Sequence, residues 1–378
     1  MNIGIFLENF TDNEIEKDPG IITDGLIKLG QNVTIFSHSL SKKVSEKYET
    51  KQISNTQRNK ISYWQGSGIS TIIIYSWLSL RYSRMIKAAS LAGLKVILKL
   101  DSDGYLIYPL KPSYLRVFGL NKSITAKIKH LMRIIQWGLL PRILSGAKIR
   151  QIERSDAIII ESPAARENIN YSLAYWYKNY LSEKINVIPN PVSTYPINPL
   201  NKADIITCIG RWNDLRKNAK GLVNILSSLK TSWQINLIGL DSLAMEKKIK
   251  INNPDLSLTT IEKLSHKEIF TTLEKTKILF VPSLSESFNL AAAEALCCGC
   301  SIVGGPLPSF KYFFDENKSG SLARDFKNAS LKETLERDIV KWEAKKYEIQ
   351  KISYNWQQKL NPKKVSEQII DLIKSIEI

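Results

Sequence analysis

Residues 278–303, ILFVPSLSESFNLAAAEALCCGCSIV, constrain this chain more than any other stretch. Ile278 to Val281 is a short run of β-formers that Pro282-Ser283 stops, so the segment opens as a buried parallel strand. A polar loop leads to Asn289. Leu290, three alanines, Glu294, Ala295 and Leu296 follow, all strong helix formers, and Gly299 sits where a helix would close. Ser301 to Val303 then reads as a second strand. Strand, loop, helix and strand in this order place a ligand at the carboxyl ends of the strands, against a helix N-terminus whose amides attract phosphates. Two carboxylates frame that helix start, Glu286 in the loop and Glu294 roughly 7 Å further along the helix. One carboxylate suits a ligand at the helix mouth and the other a more distal part of it. A solvated loop acid and an exposed helix residue would give the same spacing. Small and apolar neighbours all round Glu294 favour burial, and a buried carboxylate wants a partner.

The stretch resembles the Glu-x7-Glu motif of the retaining glycosyltransferases of family 4. The resemblance implies the α/β fold called GT-B, two Rossmann-like domains with parallel sheets facing across a cleft. It maps the glutamate that contacts donor-sugar hydroxyls onto Glu286 and the one that holds the nucleotide ribose onto Glu294. The amides near the donor phosphate correspond to Asn289 and Leu290. Asn289 stands where the family usually has glycine, and asparagine tolerates unusual backbone angles better than most residues.

At 378 residues the chain is long enough for two domains, each with its own core. Hydrophobic content of 43% and charged content of 24% are those of an ordinary globular protein. No uninterrupted apolar window of about 18 residues exists, so no membrane span is expected. Glu8 and Asp12 stand where a signal peptide would need a basic start and a long apolar core. Four cysteines, three of them crowded as Cys297, Cys298 and Cys300, fit neither a disulfide framework nor zinc spacing. Reduced core thiols in a cytoplasmic protein are the expectation.

The first half opens as a βαβ unit: a strand from Asn2 to Leu7, a polar loop to Asp18-Pro19-Gly20, a helix from Gly20 to Leu29, and a strand from Val33 to Phe36. The resemblance gives Gly20 a place at the donor phosphate or acceptor, although a plain helix start reads the same. Ile72 to Tyr75 and Lys95 to Leu100 are further strands, and the alternation argues for a doubly wound parallel sheet. Leu100 runs into Asp101-Ser102-Asp103-Gly104 at a strand end, where this architecture puts functional groups. Relatives carry a histidine or an acid near the matching loop, facing sugar and acceptor, which makes Asp101 and Asp103 the candidates. A turn in which Asp-Gly serves only backbone geometry remains open. Paired carboxylates can hold a metal, yet the resemblance requires none.

Residues 108–154 are the most basic part of the chain, with Lys111, Arg116, Lys122, Lys127, Lys129, Arg133, Arg142, Lys148 and Arg150 against Glu153. Ile124, Ile128, Leu131, Ile134 and Ile135 recur at helical spacing and Trp137 follows. A basic amphipathic helix of this kind can lie on an anionic membrane surface; it can equally pack its apolar face on its own domain. Asp156 to Ile160 and Ile185 to Ile188 complete the first half, and Pro189-Asn190-Pro191 marks a linker.

The second half restarts with the strand Ile205 to Ile209, then Gly210-Arg211. By resemblance an arginine just after this strand and a lysine some residues later neutralise the donor diphosphate. Arg211 matches the first; Lys217 is the first choice for the second and Lys220 competes with it. A solvated basic loop would show the same residues, but a strand-end arginine beside a helix start favours an anion. Trp233 to Ile238 and Leu258 to Ile261 give two more strands. Ser265-His266-Lys267-Glu268 reads as a capping box, which makes His266 a first-turn residue rather than a ligand. Val365, Ile369, Leu372, Ile373 and Ile376 share one face of a terminal helix.

The expected organisation is an acceptor domain over 1–189, a nucleotide-sugar donor domain over 190–355, and a helix over 356–378 that crosses back onto the first. The implied activity is retaining transfer of a sugar from a nucleotide-diphosphate sugar to a glycan or lipid-linked acceptor in cell-surface polysaccharide or lipopolysaccharide synthesis. No cofactor or metal is required, and the location is cytoplasmic or peripheral on the inner face of the cytoplasmic membrane. Two rival readings exist. A GT-B sugar-nucleotide epimerase would share the phosphate site but needs acid and base groups on both faces of the sugar. A nucleic-acid binder would suit the net charge of +17, yet the chain has no recognisable nucleic-acid motif.

Overall fold

The computed structural model describes residues 1–106, 141–193, 199–314 and 319–376. Their strands are β1 (Asn2–Phe6), β2 (Asn9–Phe10), β3 (Asn32–Ser37), β4 (Ser39–Leu40), β5 (Glu49–Gln52), β6 (Thr71–Tyr75), β7 (Lys95–Leu100), β8 (Ala157–Ile160) and β9 (Ile185–Val187) in the first half. The second half has β10 (Ile205–Ile209), β11 (Gln234–Ile238), β12 (Leu258–Ile261), β13 (Ile278–Val281), β14 (Ser301–Gly304) and β15 (Gly320–Leu322). Among the described residues they form a seven-stranded sheet, β5-β3-β1-β6-β7-β8-β9, a six-stranded sheet, β12-β11-β10-β13-β14-β15, and the small pair β2-β4. The pairings are parallel, as in β1 with β6 or β10 with β13. Each sheet is an open α/β layer with its functional edge at the carboxyl ends of the strands. Packing divides the chain into two compact units. The first takes the described residues up to Ser193 and returns for the segment from Leu360; the second takes those from 199 to Lys359.

In the first unit the Ile-rich central strands alternate between two cores, as the period of two dictates. Phe6, Ile72, Ile74, Leu98, Ile158 and Ile160 face one layer of helices. Ile3, Ile5, Ile73, Ile97 and Ile159 face the other. Burial on both faces explains why these strands are nearly continuous apolar runs. The second layer includes the helices Asp18–Lys28 and Pro362–Ser375, the latter through Val365, Ile369, Ile370 and Ile373. Asn361 starts that terminal helix by accepting from the Lys363 amide at 2.9 Å, and Pro362 fits the first turn where its missing N–H costs nothing. The two helices meet at Gly25, where an added Cβ would lie 2.1 Å from Ser366 Oγ.

The helix expected from Gly20 begins at Asp18, with Pro19 in its first turn, after a short helix over Asp12–Ile15. Gly20 is buried, and a Cβ there would lie 2.3 Å from the Ile15 carbonyl oxygen. Glycine at 20 therefore lets two helices approach, a packing role that local pattern does not reveal.

In the second unit Ile206, Cys208, Ile235, Leu237, Phe280 and Val303 pack with Leu222, Ile225, Leu331 and Leu335. A buried polar knot secures its edge. Asp338, on the helix Asn328–Glu343, accepts from Ser301 Oγ at 2.6 Å and Ser321 Oγ at 2.7 Å, tying β14 and β15 to that helix. All four cysteines are buried and unbridged.

Replacing Gly25 by valine should lower stability by about 1–3 kcal/mol through overpacking of the terminal helix. Urea unfolding measures this, and adding Ser366→Ala should return part of the loss. An unchanged midpoint in Gly25→Val would show that Pro362–Ser375 is not seated on Asp18–Lys28.

Candidate functional site

In the second unit the site begins where β10 and β11 end side by side. Gly239 has φ 124°, and a Cβ on it would lie 1.8 Å from the Gly210 carbonyl oxygen, so only glycine permits this approach. Arg211 follows with its side chain 74% exposed and its guanidinium 3.9 Å from the Asp214 carboxylate. Asp214 is held mainly by Arg216 at 2.7 Å, and those hydrogen bonds keep its carboxyl below the usual range. The turn Leu215–Lys217 ends at Asn218 in the left-handed region, φ 55°. Asn218 Oδ1 accepts from the Gly221 amide at 3.2 Å, capping the helix Ala219–Leu226, while its Nδ2 donates to the Pro282 carbonyl at 3.1 Å. The Leu284 amide donates to the Arg216 carbonyl at 2.8 Å. These contacts lay the basic loop after β10 along the loop after β13, where Lys217 Nζ meets Glu286 Oε1 at 2.6 Å. Lys220 stands exposed in the first turn of the following helix.

Asn289 takes φ 72° and ψ 84° and caps the helix Leu290–Cys297, accepting from the Ala292 amide at 3.0 Å. The first amides of that helix, beginning at Leu290, lie at its positive end. Phe288 is buried against Phe313, ring centroids 5.2 Å apart, and Ser309 Oγ donates to the Glu286 carbonyl at 3.2 Å, so the loop is fixed from both sides. Glu294 is buried, and its Oε1 lies 2.7 Å from His266 Nε2. His266 opens the helix His266–Lys275, whose capping box Ser265–Glu268 is formed as expected. Its contact with Glu294 spans 28 positions, and no local pattern signals it.

The first unit presents a different chemistry at its strand ends. Lys99, in β7, is 1% exposed, and its Nζ donates to Asn190 Oδ1 at 2.6 Å. The same ammonium lies 3.6 Å from Asp18 and 3.8 Å from Glu161, and Asn190 Nδ2 donates to Glu161 Oε1 at 2.6 Å. Pro189-Asn190-Pro191, which reads as a linker, thus carries a buried polar side chain of this cluster. Burial, opposed by Lys99 and reinforced by the Asp101 charge, pushes the Asp18 carboxyl up to about 6. Burial and Asp101 drive Glu161 well above the usual carboxylate range. Asp101 therefore bears on the buried cluster. Asp103 accepts from the Tyr105 amide at 3.4 Å, its carbonyl takes the Asn168 amide group at 2.7 Å, and Gly104 follows at φ 82°. The Asp103-Gly104 pair does serve turn geometry.

Of the basic stretch, Lys111, Arg116, Lys122, Lys127, Lys129 and Arg133 lie outside the described residues, as do Ile124, Ile128, Leu131, Ile134, Ile135 and Trp137. Within the helix Pro141–Arg154, Lys148 Nζ donates to the Leu106 carbonyl at 3.0 Å, and Glu153 pairs with Lys178 at 2.9 Å. Among the described residues no helix is long and apolar enough to cross a membrane.

Residues 196–356 match the model of the family described as glycosyl transferases group 1. Sucrose-phosphate synthase of Thermosynechococcus elongatus superposes with a TM-score of 0.69 at 15% identity, covering 100% of this chain and 99% of that one. The lipopolysaccharide outer core galactosyltransferase WaaB gives 0.69 at 15% identity, covering 99% of each chain. HepE of Anabaena in complex with UDP gives 0.70 at 12% identity, covering 99% of this chain and 100% of that one. A search of curated proteins finds no match. The fold is GT-B, and the family match falls on the second unit.

The raised Asp18 carboxyl has a signed consequence. Its folded-state value of about 6 exceeds the unfolded one, so its contribution to stability is fully present below about pH 4 and is lost as pH rises to about 6. Relative to Asp18→Asn, the wild type should lose on the order of 2–3 kcal/mol across that window. Thermal melts of both proteins from pH 4 to pH 7 measure the difference; parallel curves would place Asp18 outside the buried cluster.

Proposed function

We propose that this protein transfers a sugar from a nucleotide-diphosphate sugar to a glycan or lipid-linked acceptor with retention at the anomeric carbon. The observation that carries this reading is the convergence, on one strand edge of the second unit, of Arg211, Lys217, a helix N-terminus and two glutamates. A diphosphate needs fixed cations and amides, which Arg211, Lys217 and the amides of Asn289 and Leu290 supply, with Lys220 at the rim. A sugar and a ribose need acceptors for their hydroxyls, which Glu286 and Glu294 supply. HepE of Anabaena, with the same fold, was solved with UDP-glucose, which is the ligand class this site suits.

In the reaction the bond from the anomeric carbon to the diphosphate oxygen breaks and an acceptor hydroxyl oxygen takes its place on the same face. Negative charge grows on the departing diphosphate, and preorganised cations and amides stabilise it most in the transition state. The hydroxyl proton leaves with that diphosphate. Lys217 now holds Glu286 at 2.6 Å. On donor binding the ammonium turns to phosphate and Glu286 turns to the sugar. Because side chains and amides meet the diphosphate charge, the reaction proceeds without a divalent metal. The first unit takes the acceptor, with Asp101 and Asp103 on its loop and Gly20 in the helix beside the buried cluster.

A panel of uridine, adenosine and guanosine diphosphates tests the donor site by thermal shift, since a ligand at 100 times its dissociation constant adds about 2.7 kcal/mol. With the nucleotide that binds, Arg211→Ala and Glu294→Ala should each weaken affinity by about 1–3 kcal/mol while the fold stays intact. Turnover should persist in EDTA. Unchanged affinity in either variant would remove that residue from the site, and activity lost to EDTA and restored by Mg²⁺ would overturn the metal-free chemistry.

The proposed workplace is an anionic membrane surface bearing a lipid-linked acceptor, on the strength of the basic, periodically apolar sequence from Lys111 to Arg154. The protein should sediment with anionic liposomes at low salt and be released as screening shortens to about 8 Å at physiological ionic strength. Changing Lys122, Lys127, Lys129 and Arg133 to Glu should abolish this. Absence of binding at low salt would refute the membrane part alone.

A further inference from the structure

The proposed chemistry leaves the contact between His266 and Glu294 without a task. His266 Nε2 lies 2.7 Å from Glu294 Oε1. Glu294 is 9% exposed and sits in the helix Leu290–Cys297 among Ala292, Ala293 and Ala295, which have no polar side chains to orient it. An ionised carboxylate only accepts hydrogen bonds, so the imidazole donates through Nε2–H. The imidazole is itself held. Ser265 Oγ accepts from the Glu268 amide at 3.3 Å and Glu268 accepts from Ser265 Oγ at 2.6 Å, which fixes the helix start that carries His266. The ring stands edge-on to Phe270, centroids 5.1 Å apart and planes 88° apart.

We propose that His266 is a positioning residue that presets the Glu294 carboxylate to take the two neighbouring hydroxyls of a ribose, and that it thereby sets selectivity for ribo- over deoxyribonucleotides. The proposal rests on the reading of Glu294 as the ribose contact. A vicinal diol offers two donors at fixed separation, and a carboxylate meets both only when its plane has the right rotation. A glutamate side chain has three rotatable bonds, and a free carboxylate would have to be ordered on binding. With Oε1 fixed by the imidazole, the plane is set beforehand and Oε2 is aligned with it. A nucleotide lacking the diol gains nothing from this arrangement. The cost of losing His266 must therefore depend on the ligand's hydroxyls.

The test compares dissociation constants of uridine, adenosine and guanosine diphosphates with those of their 2′,3′-dideoxy forms, measured by calorimetry on the full chain. The wild type should prefer the ribo form. His266→Phe, which keeps an aromatic ring against Phe270 but has no donor, should weaken ribo binding about tenfold and leave dideoxy binding unchanged. His266→Gln, which retains an amide donor, should recover most of the preference, and circular dichroism spectra of both variants should match the wild type. Equal weakening of both ligand forms in His266→Phe would make the contact merely structural and overturn the proposal, as would undiminished preference in that variant. A wild type that binds diphosphates but treats ribo and dideoxy forms alike would remove Glu294 from the ribose and this proposal with it. A wild type that binds no nucleoside diphosphate would overturn the donor-site reading itself.

Discussion

The second unit's site depends on one side chain, Asn218. Its left-handed backbone at φ 55° turns the chain out of the loop after β10, its Oδ1 caps the next helix, and its Nδ2 reaches the Pro282 carbonyl at the end of β13. One amide thus fixes the relation of two strand-end loops. Asn289 repeats the device at φ 72°, with its Oδ1 on the Ala292 amide. Asparagine suits both places because it is among the few residues with a Cβ that visit the left-handed region readily, and its short side chain still reaches an orphan amide. The family whose motif this stretch resembles usually has glycine where Asn289 stands. The substitution keeps the conformation and adds a cap.

The two units use the same sheet edge in opposite ways. At the second unit's strand ends Arg211 meets solvent, its side chain 74% exposed. At the first unit's strand ends a lysine is enclosed with Asp18, Glu161 and Asn190. One buried ammonium cannot balance both acids and the nearby Asp101 charge in a medium that penalises unpaired charge, so the Glu161 carboxyl is driven well above its usual range and the Asp18 carboxyl up to about 6. Asp101 is part of that balance.

What the sequence could reveal follows from the range of the interaction concerned. β7, β10 and β13 appear at the expected bounds because central parallel strands are buried on both faces and must be apolar. β5, with sequence ETKQ, and β15, with GSL, are edge strands half in solvent, so no apolar run marks them. The polar knot around Asp338 holds β15, and it joins residues 17 and 37 positions apart. The helix at Asp18-Pro19 was hidden by glycine. An acid and a proline at a helix start are a recognised signature, yet Gly20 beside them argues for a loop until Ile15 is seen against it. In the candidate site, Glu286, Glu294 and Arg211 could be named from the sequence through the resemblance of their motifs and their places just after expected strands. Their pairings could not. Lys217 finds Glu286 across 69 positions and His266 finds Glu294 across 28, and such pairings are set by the sheet order β10-β13-β14 rather than by neighbours in the chain.

The Lys217–Glu286 pair shows what this arrangement gains. Its side chains are only 18% and 11% exposed, so both charges have already lost most of their water. Removing charge from water is the largest cost of an electrostatic binding site, and here folding meets it, offset by the attraction of the pair. On the proposed reading a diphosphate arriving at Lys217 exchanges one anion for another at a cation already in place, and little further desolvation or ordering of the ammonium is needed. The same exchange frees Glu286 beside the helix mouth, where a sugar attached to that diphosphate must lie. Binding of the phosphate end and readiness of the sugar end are then one event, because a single ammonium cannot hold the carboxylate and the diphosphate equally well.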